Sequence, residues 1–171
     1  MAGHAGIEVK NIRQWIYPNR DEIRELLFKC CALDVVPVLI ARRIHFSTFS
    51  VLNPCGFLLH QTFNQLYPNS TNELVPKLRH KTLLGFHDIR LIGGDDADNT
   101  HARLKTFLNL NLPELIPKAR LAFENYKDLL APFANKEMSY KEFAARVKRR
   151  SRGEDEDLPE PCPEDLNPFE M

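Results

Sequence analysis

The chain lacks any apolar run approaching the ~20 residues that a helix needs to cross a bilayer. Its first ten residues, MAGHAGIEVK, hold no basic region followed by an apolar one, so no secretory leader is expected there. Glycine is sparse, 7 in 171 residues. None of these glycines falls in G-x-x-x-x-G-K-[ST] or G-x-G-x-x-G, which leaves phosphate-cradling nucleotide enzymes unsupported. Neither G-x-S-x-G nor H-E-x-x-H occurs. The four cysteines, Cys30, Cys31, Cys55 and Cys162, form no C-x-x-C pair and have no histidine at zinc-site spacing. They are expected to be reduced thiols in a cytoplasmic protein with no membrane partner, most of them filling the core.

What is present is an ordinary globular composition, 43% hydrophobic and 27% charged, long enough for one domain with a substantial core. The net charge of zero hides an asymmetry. Residues 1–150 carry 22 basic and 15 acidic side chains, a surplus of +7, whereas residues 151–171 carry eight acids against Arg152 alone, −7. The chain therefore divides into an α/β domain over 1–150, helical in its second half, and a Pro-rich acidic tail over 151–171 that is expected to be disordered. A basic body suits a polyanionic partner, although a surplus of this size is also an ordinary solvated surface.

Period-two alternation predicts a strand from Ile7 to about Ile12, with Ile7 and Val9 on one face and Glu8 and Lys10 on the other. A helix follows over Arg20–Leu33, with Asn19 as N-cap and Glu22 completing a capping box. Ile23, Leu26, Leu27, Cys30 and Leu33 form its apolar stripe. VVPVLIAR, Val35 to Arg42, reads as a strand buried on both faces with Pro37 at its entry. A short helix over His45–Leu52 ends in the turn Asn53-Pro54-Cys55-Gly56, and Phe57–Phe63 is a third strand. Strand, helix, strand, helix, strand argues a mostly parallel three-stranded sheet.

Beyond it, TNELVPKLRH is expected to form a turn or two of helix, and GGDDADNT a mobile acidic loop. One helix is expected over Thr100–Leu110 with Leu104, Phe107 and Leu108 inward. Another runs from Pro113 or Pro117 to Leu130 with Ala119, Ala122, Phe123, Tyr126 and Leu130 inward. A last one starts at the capping box SYKE of Ser139 and ends near Arg150.

Glu8 and Lys10 share a strand face, roughly 6–7 Å apart at Cβ. A carboxylate there suits a hard divalent cation, and an ammonium beside it can orient water or stabilise a charged phosphate. A Glu–Lys pair on an exposed strand is also common with no such role. Arg42, Arg43 and His45 fall at the carboxyl end of the buried strand, where open α/β sheets place ligands; they suit a phosphate clamp or an ordinary solvated strand end. Arg13 lies near Trp15 and Tyr17 in sequence. Those aromatics either cap the core, their commoner use, or stack on nucleic acid. His60 and Gln61 read as polar groups at the core edge. Lys148 to Arg150 suit a helix C-terminus, and equally DNA.

E-x-K in IEVKN, followed by an amphipathic helix and the buried strand VPVLIARR, resembles the second part of the PD-(D/E)XK core of restriction-endonuclease-like nucleases, over roughly residues 7–65. The resemblance implies a metal-dependent DNA endonuclease, a hydrolase using Mg (or Mn). It implies Glu8 as a metal-binding carboxylate, the Val9 carbonyl as a further metal ligand, and Lys10 as the residue serving the attacking water. The family's other acid, in a P-D dipeptide one strand earlier, has no counterpart before Glu8. The chain is then a fragment, or takes the acid from a second chain or from Asp95–Asp98, or is a remnant. A truncated or degenerate nuclease-like protein acting on or binding DNA is the favoured reading. The alternative is a non-catalytic nucleic-acid-binding or protein-interaction module on the same scaffold.

Overall fold

A computed structural model describes residues 4–92 and 97–154. The mixed α/β order is β1 (Ala5–Lys10), α1 (Asp21–Leu33), β2 (Val36–Ala41), α2 (Phe46–Leu52) and β3 (Leu58–Gln61). Then come β4 (Gln65–Tyr67), α3 (Leu74–Arg79), β5 (Ile89–Leu91), α4 (Ala97–Thr106), α5 (Leu112–Ala134) and α6 (Tyr140–Arg152). Strands β1, β2 and β3 form a parallel sheet in that order, and β4 pairs β5 in a second, two-stranded parallel sheet. No described helix is long and apolar enough to cross a membrane.

Strand β2 is buried at all six positions. Its β-branched residues fill both faces, and the chain covers each. Leu39 and Ala41 join α1, α5 and α6 in the larger core, with Phe123, Phe133 and Phe143 fully enclosed. Phe133 and Phe143 stack with centroids 4.2 Å apart, fastening α5 to α6. Val38 and Ile40 form a smaller cluster with Phe107 and Leu112. Pro37 is the second residue of β2, not its entry. The Val36 amide bonds the His4 carbonyl on the β1 side, so by alternation Pro37 faces the β3 side. Pairing with β3 starts only at Val38, so the missing N–H breaks no ladder bond.

Several expected boundaries move. Strand β1 ends at Lys10 and β3 at Gln61, both earlier than alternation predicts. The N-cap of α1 is Arg20, whose donor-only guanidinium cannot accept a cap bond and forks onto Glu22 at 2.8 and 2.9 Å. Leu33, expected inward, is 72% exposed in the last turn. Asp34 ends α1 in the left-handed conformation, φ 56°, and its carboxylate holds Arg120 and Lys127 of α5. Those two cations hold the Asp34 carboxyl below its usual range. The expected helices at Thr100–Leu110 and from Pro113 or Pro117 to Leu130 are one continuous run. A π-helical turn over Phe107–Asn111 joins α4 to α5, which continues through Pro117 to Ala134. The wider π turn sits just before Pro113, where backbone donors are missing in any case. Helix α4 begins inside the stretch expected as an acidic loop, whose residues 93–96 lie outside the described residues. Ser139 caps α6 as the SYKE pattern predicts, accepting from the Glu142 amide at 3.2 Å. The helix runs on to Arg152, into the segment expected as tail; residues 155–171 and Cys162 lie outside the described residues.

Gly56 takes φ +79°, and a Cβ there would lie 2.1 Å from the Ala119 carbonyl oxygen of α5. Gly56→Ala therefore strains the turn and drives α5 off the sheet, with an expected loss of about 3 kcal/mol in urea denaturation. Burial pushes the Cys30 and Cys55 thiols up to about 12 from an ordinary 9.0. A raised folded-state value favours the fold below about pH 9, and that contribution is lost as pH climbs toward about 12. At about pH 8 both stay protonated, and peptide mass spectrometry is expected to find them unlabelled by iodoacetamide until denaturant opens the core.

Candidate nucleic-acid interface

The strands of the first sheet all run the same way, so their carboxyl ends gather at one edge. Asn11 to Trp15 leave β1 there, Arg42 to His45 leave β2, and Thr62 to Asn64 leave β3. An isolated parallel bridge between Ile16 and Ile44 carries the first two segments onward side by side, with the Ile16 amide bonded to the Arg43 carbonyl at 3.0 Å. Thr48 of α2, fully buried, closes this edge by donating to the Ile16 carbonyl at 2.8 Å.

Arg42 is the deepest charge, 3% exposed. It donates to Gln65 Oε1 at 2.7 Å and forms an ion pair with Asp88. Its Nε has no hydrogen-bond partner among the described residues. Burial lowers the Arg42 pKa from its ordinary value, and Arg13 and Arg43 lower it further. Asp88 is the counterweight: Arg13 reaches it at 3.4 Å and Arg43 at 3.9 Å. The carboxylate arrives because β5 starts at Ile89, beside Gln65 of β4. One acid thus organises three arginines, leaving a local surplus of positive charge.

Around this cluster lies a cleft of about 690 Å³ lined by Arg13, Trp15, Arg43, Phe63, Phe86 and His87, among others. The Arg13 guanidinium sits 3.4 Å above the Phe86 ring, and that of Arg43 5.8 Å from Trp15. His45 caps α2 by accepting from the Ser47 amide and packs against Tyr17 and Phe46, each 4.5 Å away between centroids. Trp15, Tyr17, Phe46 and Phe63 are 43%, 43%, 75% and 55% exposed. Trp15 and Tyr17 therefore do not cap the core; Trp15 lies near the Arg43 guanidinium and Tyr17 against His45, both partly open to solvent. Arginines beside partly exposed rings are the groups that can meet phosphates by charge and bases by stacking.

Glu8 and Lys10 do converge: Lys10 Nζ lies 2.6 Å from Glu8 Oε1, and Lys29 of α1 reaches the other oxygen at 3.8 Å. They occupy the seam between β1 and α1, and Lys10 is the last residue of β1, paired with Ala41 beside Arg42. The hydrogen bond to Glu8 raises the Lys10 pKa above its ordinary 10.5. Lys10 is thus held as an ammonium and is not poised to take a proton at neutral pH. For magnesium the donor set fits poorly. Glu8 is already neutralised by lysines, and among the described residues no three His, Cys, Asp or Glu side chains gather where a metal would need them. Val9 turns its carbonyl to the open edge of β1, on the opposite side from the β2 ladder. Asp95 and Asp96 lie outside the described residues.

Of the residues named from the sequence, Arg13, Arg42, Arg43 and His45 come together at one edge, while Glu8 and Lys10 pair with each other and with Lys29 on the α1 side of β1. Asp88, Gln65, Phe63 and Phe86 escaped sequence reasoning. Strands β4 and β5 are only three residues each, too short for an alternation signal. His60, read as an edge polar group, stacks on Phe107 with centroids 4.4 Å apart, and burial lowers its pKa.

Asp88→Asn removes the only carboxylate that the described residues place on Arg42, Arg13 and Arg43 together. Leaving a buried guanidinium without its counter-ion is expected to cost about 3 kcal/mol in chemical denaturation.

Compared with known proteins, the chain matches no family model, no curated protein and no solved structure.

Proposed function

We propose that the chain binds single-stranded DNA across the carboxyl-end cleft, as a nucleic-acid-binding module that does not depend on hydrolysis. The observation that carries this reading is the gathering of Arg13 and Arg43 with the exposed rings of Trp15 and Phe63 and the half-buried Phe86 around one opening. Arginines spaced along a groove follow a phosphate backbone, and rings between them take unpaired bases face to face. A duplex hides those faces in its own stack, so single strands are the better fit. Asp88 keeps the arginines apart and aimed, and reduces their mutual repulsion before a phosphate arrives.

In this reading the Glu8–Lys10–Lys29 group is a structural ion-pair network that ties β1 to α1. The hydrolase that the nuclease resemblance implies would need further carboxylates brought to Glu8 from outside the described residues.

Fluorescence anisotropy with a labelled single-stranded oligonucleotide tests the proposal. Binding is expected to weaken with salt, and Arg43→Gln or Arg13→Gln to lower the slope of log affinity against log salt by about 0.7 each. Trp15→Ala or Phe63→Ala is expected to weaken binding by about 1–3 kcal/mol with the slope unchanged. Equal loss for duplex and single strand, or no binding at low salt, would overturn the proposal. Cleavage of the oligonucleotide in Mg²⁺ or Mn²⁺ that Glu8→Gln abolishes would replace it with the nuclease reading.

A further inference from the structure

Strand β1 is an edge of the three-stranded sheet. The bond from the Val36 amide to the His4 carbonyl, with Ile7 opposite Val38 and Val9 opposite Ile40, sets which backbone groups face β2. In a parallel ladder alternate residues turn to the same neighbour. Gly6, Glu8 and Lys10 therefore address β2, and the amides and carbonyls of Ile7 and Val9 point outward. No described residue pairs with that edge. The side chains of the same two residues are 49% and 66% exposed. A six-residue edge with no proline or bulge and two exposed β-branched side chains is a template for another strand.

The charges on the other face say which strand. Glu8 and Lys10 stand two residues apart with opposite sign, pair with each other at 2.6 Å within one copy and stay partly exposed, so a facing copy can share the same charges across the edge. Two such strands laid antiparallel about a two-fold axis, with Val9 opposite Val9, put each Glu8 directly across from Lys10 of the second copy. Val9 then exchanges both of its outward backbone bonds with its counterpart. The two Glu8/Lys10 positions fall in the neighbouring non-hydrogen-bonded pairs, where opposed side chains approach closest. The hydrogen-bonding parity excludes slips by one position. The nearest allowed alternatives set Glu8 against Glu8, with Ile7 opposite Val9, or Lys10 against Lys10, with Val9 opposite Asn11. Charge thus selects the register.

We propose that two copies of this chain associate through their β1 edges, antiparallel and centred on Val9, joining two three-stranded sheets into one of six. The contact is isologous, so it closes at the dimer. It does not rest on the DNA-binding reading, whose cleft lies at the carboxyl ends of the strands.

Sedimentation equilibrium of the full chain over a concentration series tests it. The wild type is expected to show a monomer–dimer equilibrium. Glu8→Lys and Lys10→Glu alone are each expected to weaken it roughly tenfold or more, because like charges then face one another twice. An equimolar mixture of the two variants is expected to dimerise as tightly as the wild type, since every opposed position again carries unlike charges. Val9→Pro removes an amide that serves only the second copy, and is expected to yield a monomer with an unchanged circular dichroism spectrum. A wild type monomeric throughout, a mixture no tighter than the single variants, or a Val9→Pro dimer of undiminished affinity would each overturn the proposal.

Discussion

A strand buried on both faces along its whole length has to be covered twice, and β2 imposes that requirement on the rest of the chain. One face takes Leu39 and Ala41 into the core built by α1, α5 and α6; the other sends Val38 and Ile40 against Phe107 and Leu112. A single long run from α4 through the π-helical turn into α5 contributes to both clusters. Gly56, by lacking a Cβ, lets the start of β3 approach that helix backbone. Burial of β2 also explains where the chemistry can be. Side chains along the strand have no route to solvent, so its polar sequel, Arg42 to His45, emerges at the carboxyl end together with the sequels of β1 and β3.

At that edge one carboxylate decides the character of the surface. Three arginines in mutual reach repel, and the burial of Arg42 increases the penalty, as the lowering of its pKa shows. Asp88 offsets this without cancelling it. The arginines are held in place, partly neutralised, and their outer members lean on Phe86 and Trp15. An arginine resting on a ring keeps its hydrogen-bonding edge free while its flat face is covered, which suits a phosphate approaching from the side.

How much of this was legible in the sequence follows from the length of each signal. Strand β2 declares itself through six consecutive residues of which four are β-branched or leucine; α1 and α6 do so through stripes or a capping box. The parallel order of β1 and β2 follows from the helix between them, and the placement of Arg42, Arg43 and His45 follows from strand direction. Boundaries were less legible because local preferences were overridden: α1 starts one residue later than Asn19 would set it, with Arg20 as its N-cap, and α5 runs on through Pro117 and Pro132 after a π turn joins it to α4. Strands β4 and β5 were invisible. Three residues cannot show a period, and their pairing spans some twenty residues of loop and short helix. Asp88 was invisible with them, since its meaning lies wholly in what it faces.

Glu8 and Lys10 show the limit of a motif read as a motif. The alternation of β1 correctly places them on one face, and the two groups do meet. What the spacing cannot convey is the environment that turns proximity into chemistry. Glu8 raises the pKa of Lys10, which keeps it an ammonium that can orient water or face a phosphate but does not make it a general base. A magnesium site needs several oxygens free to turn toward the ion, and the Glu8 oxygens are taken by Lys10 and Lys29. The same pair on an unpaired edge, alternating with exposed Ile7 and Val9, carries a different kind of information: sign and spacing that complement themselves on reversal. Geometry that is poor for binding a cation is good for recognising a strand, because recognition across an edge asks for charges fixed in position and does not ask them to change protonation state.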